Sequence, residues 1–217
     1  MNADPHHAQP VFRYGPDPAS ARLTIVAVHG RGASAADILS VAHELALDDV
    51  AFVAPDAAGR TWYPYSFLAP MSGNEPFLGS ALALLERIVR DLQGEVAPER
   101  IGLLGFSQGA CLSLEFAARR ARRYAAVVGL SGGLIGPPGT PRSYSGGMAG
   151  TPVFLGCSDI DPHIPLERVH ETADVFQRMG AAVDERIYPR MGHLVNEDEI
   201  DAVRTLLSPA QRRETRG

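Results

Sequence analysis

Residues 101–120 read I-G-L-L-G-F-S-Q-G-A-C-L-S-L-E-F-A-A-R-R, and the rest of the chain is interpreted outward from them. The apolar run at 101–104 predicts a short buried strand, and the periodic apolar residues from Ala110 onward predict a helix. Between them lies G-F-S-Q-G, residues 105–109. A G-x-S-x-G pattern between a strand and a helix is typical of a nucleophile elbow, a tight turn that exposes the serine hydroxyl. The alternative is an ordinary glycine-rich turn, and the partners of Ser107 must decide between the two.

The rest of the chain alternates apolar strands with helices. We predict further strands at 23–28, 50–55, 125–130, 152–157 and 183–188, and helices near 35–46, 77–92, 165–179 and 197–207. This alternation predicts an α/β fold, a mostly parallel central sheet with helices on both faces. We expect one domain over residues 21–210, an N-terminal extension at 1–20 and a polar tail at 211–217. The loop from about 131 to 150 is too short and broken for a separate lid domain.

The composition is that of an ordinary globular protein, with 217 residues, 45% of them hydrophobic, and a net charge of −5. This charge does not favour nucleic acid or an anionic membrane surface as a partner. No apolar run approaches transmembrane length and no signal peptide is apparent, so we expect a cytoplasmic protein without stable membrane association. Cys111 and Cys157 are expected to be buried free thiols. His6 and His7 are expected in a disordered polar start, and neither a metal nor an organic cofactor is expected.

A nucleophilic serine needs a base within hydrogen-bond reach and a carboxylate that orients the base. In elbow-type hydrolases the acid and then the histidine follow the serine, each on a loop after a strand. His193 follows the last predicted strand and fits the base, with His163 and His170 as rivals. Asp159 and Asp161 both follow the strand at 152–157. Position alone favours Asp161 only slightly.

Stabilising an oxyanion requires two hydrogen-bond donors, and the sequence offers two backbone amides. One is the N–H of Gln108, at the start of the predicted helix. The other is the N–H of Arg31 in the loop H-G-R-G, residues 29–32, whose glycines allow close approach of the backbone. The alternative for this loop is a flexible turn.

The segment at 61–71 is aromatic, interrupted by prolines, and holds the only tryptophan of the chain. It is either a surface loop folded onto the core or the wall of a substrate pocket. The residues predicted to contact substrate are Trp62, Tyr65, Phe67, Phe106, Leu134 and Leu194.

Four motifs together resemble the phospholipase/carboxylesterase group of the α/β-hydrolase family. They are V-H-G-R-G at 28–32, G-F-S-Q-G at 105–109, D-P-H-I-P at 161–165 and M-G-H-L-V-N at 191–196. The resemblance runs from about residue 23 to about residue 207, with the motifs in the family's order. It implies the nucleophile, acid, base and two oxyanion donors at Ser107, Asp161, His193, Arg31 and Gln108. It thereby favours Asp161 over the neighbouring carboxylate.

The resemblance implies a serine hydrolase that cleaves carboxylic esters, or thioesters, through an acyl-enzyme. Acyl-protein thioesterases of the group tend to continue with L-G-D after H-G, whereas this chain has R-G-A, closer to the bacterial esterases. Without a lid domain we expect an open site for short to medium acyl groups. The alternatives are a dienelactone hydrolase-like or peptidase-like serine hydrolase, and a non-catalytic binding protein on the same fold. The expected partner is a small-molecule ester or thioester, and a homodimer remains open because members of the group are often dimers.

Overall fold

The structure, a computed structural model, describes residues 4–209. Its centre is a sheet of seven strands in the order β1-β3-β2-β4-β5-β6-β7. The strands are β1 Val11–Tyr14, β2 Leu23–Val28, β3 Val50–Pro55, β4 Ile101–Phe106, β5 Val127–Leu130, β6 Pro152–Ser158 and β7 Ala182–Tyr188. Strand β1 runs antiparallel to β3, and every other neighbouring pair is parallel.

Helices cover both faces of this sheet. They are α1 Ala35–Leu45, α2 Phe77–Gln93, α3 Gln108–Arg119, α4 Leu166–Arg178 and α5 Glu197–Leu207. Side chains of α2, α3 and α4 form one apolar cluster on one face, and those of α1 and α5 form a second cluster on the other. A strand that is buried on both faces has apolar residues at every position rather than at alternate ones. Strand β3, with the sequence V-A-F-V-A-P, is buried at all six positions and shows this pattern. The predicted fold class is confirmed.

Strand β1 was not predicted. All four of its residues are exposed, and it lies at the edge of the sheet, where Val11 pairs with Pro55 and Tyr14 with Phe52. Because an exposed edge strand buries neither face, its sequence carries no alternating apolar pattern. The expected N-terminal extension therefore includes a strand of the sheet. The expected polar tail at 211–217 lies outside the described residues.

The expectation that His6 lies in a disordered start is wrong. Its side chain is fully buried. The ring Nδ1 accepts a hydrogen bond from the Ala58 amide at 3.0 Å, and Nε2 donates to the Trp62 carbonyl at 3.1 Å. Burial lowers the pKa of His6, so this ring is a neutral anchor that ties the start of the chain to the aromatic segment.

Within the described residues, none of the helices is both long enough and apolar enough to cross a bilayer.

Candidate active site

The turn between β4 and α3 holds Ser107 in an unusual backbone conformation. Its φ is 56° and its ψ is −120°, a region that costs a non-glycine residue about 1–3 kcal/mol. Two hydrogen bonds hold the residue there. Its amide donates to the Leu130 carbonyl of β5 at 2.9 Å, and its carbonyl accepts from the Cys111 amide of α3 at 3.0 Å. The backbone is therefore fixed from both sides, as expected for an elbow.

The two glycines of G-F-S-Q-G leave no room for a side chain. A Cβ at Gly105 would overlap the backbone of Gly109, and a Cβ at Gly109 would overlap the carbonyls of Val28 and His29 at the end of β2. This close approach of helix and strands is what makes the turn tight, so the pattern has a steric cause.

Ser107, His193 and Asp161 form one chain of hydrogen bonds. The Ser107 Oγ lies 2.8 Å from His193 Nε2, and His193 Nδ1 lies 2.7 Å from Asp161 Oδ2. Since a carboxylate only accepts, the histidine Nδ1 donates to it, and Nε2 is left to accept the serine proton. The three side chains come from loops after β4, β7 and β6, at the carboxyl edge of the sheet.

The carboxylate of Asp161 is fully buried and held at both oxygens. Its Oδ1 accepts hydrogen bonds from the amides of His163 at 2.8 Å and Ile164 at 3.1 Å. Burial by itself would raise the pKa of Asp161, but the hydrogen bond from His193 and these two amides outweigh it and leave the pKa below its ordinary value. The carboxylate therefore stays ionised beside the imidazole.

The rival candidates lie elsewhere or make other contacts. Asp159 is exposed, and its Oδ1 accepts from the Arg190 amide at 2.7 Å. His170 is an exposed residue of α4, and its Nδ1 lies 2.6 Å from Glu185 Oε1. The ring of His163 packs edge-on against that of His193, with centroids 4.8 Å apart, so it lines the site without joining the chain.

Arg31 and Gln108 line the same cleft as Ser107. Gln108 follows Ser107 directly in the chain, and a Cβ added to Gly30, the residue before Arg31, would lie 3.4 Å from the Ser107 Cβ. Among the described residues neither amide donates to a protein acceptor. The Gln108 amide also lies at the N-terminus of α3, where the helix dipole favours negative charge. Two free amides next to a serine hydroxyl suit the stabilisation of an oxyanion.

The side chains of the same two residues hold the aromatic segment. The Gln108 Oε1 accepts from the Trp62 amide at 2.9 Å, and its Nε2 donates to the Tyr63 carbonyl at 2.8 Å. The guanidinium of Arg31 donates to the carbonyls of Pro64 at 2.9 Å and Tyr65 at 2.8 Å. Each amide thus belongs to a residue whose side chain also fixes the segment at 61–71.

A cleft of about 470 Å³, here called cleft 1, opens at Ser107 and runs along α3 and the aromatic segment. Three of the predicted substrate contacts, Tyr65, Phe67 and Phe106, line it. Sequence reasoning missed several other wall residues, namely Tyr63, Cys111, His163 and Ile164. The position of Cys111 one helical turn after Ser107 was the signal that could have found it.

Two predicted substrate contacts do not line a cleft. Trp62 is fully buried, and its indole Nε1 donates to the His29 carbonyl at 2.7 Å. Leu134 is fully buried in the core, and its amide donates to Thr172. These predictions are wrong because core and pocket walls are both apolar, and the sequence does not distinguish them.

A second cleft of about 540 Å³, here called cleft 2, adjoins the first and shares five lining residues with it: Gly30, Arg31, Ala33, Phe106 and His193. The predicted contact Leu194 lies here. The other wall is formed by the loop at 29–33 and by α1. Its apolar side chains are Ile38, Val41, Phe106, Leu194 and Val195. Sequence reasoning assigned α1 no part in the site.

Both cysteines are buried free thiols, as predicted. Burial raises the pKa of Cys111 to about 12, and burial likewise raises that of Cys157 to about 12. A thiol that stays protonated is a poor nucleophile, so Cys111 is a wall residue of cleft 1 rather than a candidate nucleophile.

The elbow after the central strand β4, with the acid loop after β6 and the histidine loop after β7, places the chain among proteins of the α/β-hydrolase fold. The chain belongs to the phospholipase/carboxylesterase family, whose model matches residues 16–210. A phospholipase/carboxylesterase from Dyadobacter fermentans is 41% identical and has a TM-score of 0.89, over 93% of this chain and 98% of that one.

Proteins named acyl-protein thioesterase 1 are more distant relatives. One from Gibberella zeae is 30% identical over 129 residues, which is 55% of this chain and 52% of the relative. The match therefore spans about half the length of that relative. One from Neurospora crassa is 25% identical over 224 residues, 88% of this chain and 89% of the relative. All of these relatives are of the carboxylesterase and thioesterase type.

Proposed function

We propose that this chain is a serine esterase that cleaves carboxylic esters, and also thioesters, of short to medium acyl groups. Ser107 is the nucleophile, His193 the general base and acid, and Asp161 the group that orients the imidazole. The backbone amides of Arg31 and Gln108 form the oxyanion hole. The observation that carries the proposal is the hydrogen-bonded chain from Ser107 Oγ through His193 to Asp161, built on a strained turn.

In the first step, the Ser107 Oγ attacks the carbonyl carbon while His193 Nε2 takes its proton. Negative charge develops on the carbonyl oxygen, and the two free amides donate to it. One such donor is worth about 2.7–4 kcal/mol of transition-state stabilisation. The imidazolium that forms is stabilised by the ionised Asp161 at 2.7 Å from Nδ1.

His193 then delivers the proton to the leaving oxygen or sulfur, and the carbon–heteroatom bond breaks. An acyl-enzyme remains on Ser107. In the second step, His193 takes a proton from a water molecule, which attacks the acyl carbon, and then returns the proton to the Ser107 Oγ. This sequence restores the enzyme and releases the acid.

The proposed acyl length follows from cleft 1. It has a volume of about 470 Å³, and the buried side chains of Phe67 and Ile164, 7% and 3% exposed, are among its walls. The loop at 131–150 is too short to cover such a cleft with a lid domain, which favours a short or medium acyl chain over a long one. The names of the fungal relatives support thioesters as a second kind of substrate.

The test is hydrolysis of p-nitrophenyl esters with acyl chains of two to sixteen carbons, by wild type and Ser107→Ala. We expect a maximum at short or medium chains and a loss of roughly 10⁴-fold or more in the variant. An active Ser107→Ala protein would refute the mechanism. Activity that keeps rising to sixteen carbons would refute the acyl length, and faster turnover of lactones or amides would favour a different hydrolase.

A further inference from the structure

We infer that cleft 2 is the binding site for the leaving group, and that it selects esters and thioesters of an uncharged, apolar alcohol or thiol. The inference rests on the proposed function and extends it to the other half of the substrate. An ester has two arms at its reacting carbon, and two clefts meet at His193 in this structure.

The mechanism decides which arm lies in which cleft. His193 Nε2 must reach the leaving atom to protonate it, so the leaving arm lies on the histidine side of the reacting carbon. Cleft 2 is walled by His193 and the two residues that follow it, while Ser107 and Gln108 do not line it. Cleft 1 is lined by both of those residues and reaches Cys111 on α3; His193 lines it as well, but the two residues that follow His193 do not. The acyl arm therefore occupies cleft 1 and the leaving arm cleft 2.

Phe106 keeps the two arms apart. Its side chain lines both clefts, and its ring centroid lies 5.1 Å from that of His193. Since Phe106 immediately precedes Ser107, its ring separates the two clefts at the reacting centre. The clefts share their walls at this centre and separate beyond it, where Cys111 lines only cleft 1 and Val41 and Val195 line only cleft 2.

The walls of cleft 2 define the chemistry of its occupant. Val41 and Val195 are half-buried apolar residues, and Leu194 is 47% exposed without contributing a polar group. Burying such surface against an apolar arm is favourable, at about 25 cal/mol per Å². An alkyl or aromatic group fits these walls better than a hydrated or polyhydroxylated one.

The charged groups on the lining of cleft 2 already have partners. Arg60 lies 3.8 Å from Asp37, and Asp37 accepts from both the amide and the hydroxyl of Ser34. The guanidinium of Arg31 is engaged with two backbone carbonyls. Burial lowers the pKa of His29, which keeps that ring neutral. The carboxylate of Asp37, which could otherwise attract a cationic leaving group such as choline, is thus already paired.

The experiment varies the two arms separately. Butyrate esters of methanol, benzyl alcohol, glycerol and choline vary the leaving arm, and methyl esters of acids with two to eight carbons vary the acyl arm. Each series is measured for wild type, Val41→Trp, which fills cleft 2, and Val41→Ala, which enlarges it. Ser40→Trp adds the same bulk to an exposed position of α1 outside the cleft and is the matched control.

We expect wild type to prefer the benzyl ester over the glycerol and choline esters. Val41→Trp should lower the ratio of kcat/KM for benzyl to methyl butyrate at least tenfold, a usual effect of altered fit in an apolar pocket. Val41→Ala should leave that ratio the same or raise it, and Ser40→Trp should match wild type. An unchanged ratio in Val41→Trp overturns the inference.

Other outcomes separate the inference from the proposed function. If Val41→Trp alters the acyl-length series and leaves the alcohol series as in wild type, the two arms have been assigned the wrong way round. If wild type prefers the choline or glycerol ester, the chemistry assigned to the leaving group is wrong. If wild type cleaves none of the esters, the proposed function itself fails.

Discussion

The side-chain amide of Gln108 donates to the Tyr63 carbonyl at 2.8 Å, so the residue after Ser107 is tied to the wall of cleft 1. The same side chain accepts from the Trp62 amide at 2.9 Å. Both partners belong to a segment without regular secondary structure, and Gln108 itself is only 6% exposed. The segment has no helix or sheet hydrogen bonds to hold it, so these side-chain hydrogen bonds fix its backbone instead.

Replacing Gln108 with methionine should loosen the aromatic segment. The change leaves the backbone amide of residue 108 in place but removes the acceptor of the Trp62 amide, which costs about 1–3 kcal/mol. The Tyr63 carbonyl loses one donor and keeps the Thr61 hydroxyl at 3.0 Å. We expect kcat/KM for butyrate esters to fall about 10- to 100-fold. Hydrogen exchange at residues 61–67 should become faster.

Gln177→Met is the matched control, because Gln177 is an exposed residue of α4. It should preserve both activity and exchange rates. Unaltered exchange at residues 61–67 in Gln108→Met would show that the segment is held by its apolar contacts alone.

Asp161→Asn should lower kcat by about 10³- to 10⁴-fold while the protein stays folded. An asparagine can keep its oxygen on the amides of His163 and Ile164, but its NH₂ then faces His193 Nδ1. This favours the tautomer in which Nε2 carries the proton and no longer accepts from Ser107. Steady-state kinetics with a p-nitrophenyl ester measures the loss.

The comparison variant is Asp159→Asn. It changes a carboxylate two residues away that, among residues 4–209, is bonded to the Arg190 amide alone. We expect its kcat to stay within a few-fold of wild type. Equal losses in the two variants would mean that the loop as a whole, rather than the bond from Asp161 to His193, supports turnover.

Glu199 is a fully buried carboxylic acid at the start of α5. Its side chain accepts from the Asn196 amide at 2.9 Å, and the Asn196 side chain accepts from the Glu199 amide at 2.8 Å, which together form a capping box. Its other oxygen has no hydrogen-bond partner among the described residues. Burial raises the pKa of Glu199 to about 7, with the nearby charge of Asp198 adding to the shift.

The raised pKa predicts a pH dependence of stability. The folded protein holds the Glu199 proton more tightly than the unfolded chain, which releases it near the ordinary value of 4.5. This contribution is therefore fully present below about pH 4.5 and is lost as the pH rises toward about 7. Glu199→Gln keeps an acceptor for the cap and cannot ionise, so above pH 7 it should be more stable than wild type by up to about 3 kcal/mol.

Urea unfolding of both proteins at pH 5, 6, 7 and 8 tests this prediction. The difference in unfolding free energy between variant and wild type should grow with pH. Other titrating groups contribute equally to the two proteins, so they cancel in this difference. A difference that is constant with pH would show that Glu199 titrates normally.

The fold class and the constellation around Ser107 could be predicted from sequence because they depend on local patterns. Buried parallel strands leave continuous apolar runs, and an elbow needs glycines at fixed spacing. The choice of Asp161 over Asp159 was different, since both follow the same strand and position alone hardly separates them. Here the resemblance of D-P-H-I-P to a family motif made the difference.

The missed features depend on contacts between distant segments. Val11–Tyr14 is exposed along its length, so its strand is visible only through its pairing with β3. The burial of His6 depends on Trp62 and Ala58, more than fifty positions away. Cleft 2 arises where α1 faces the histidine loop, and the apolar residues of α1 look like core residues in the sequence.

The loops that follow β2, β4, β6 and β7 bring together residues from position 31 to position 193. Strand β5 lies between β4 and β6 in the sheet, and its Leu130 carbonyl accepts the hydrogen bond that anchors the Ser107 amide. No shorter stretch of chain contains the complete constellation, so it exists only in molecules whose sheet has formed across almost its full width. We therefore expect turnover in this protein to report the natively folded population, because a half-assembled sheet lacks part of the constellation.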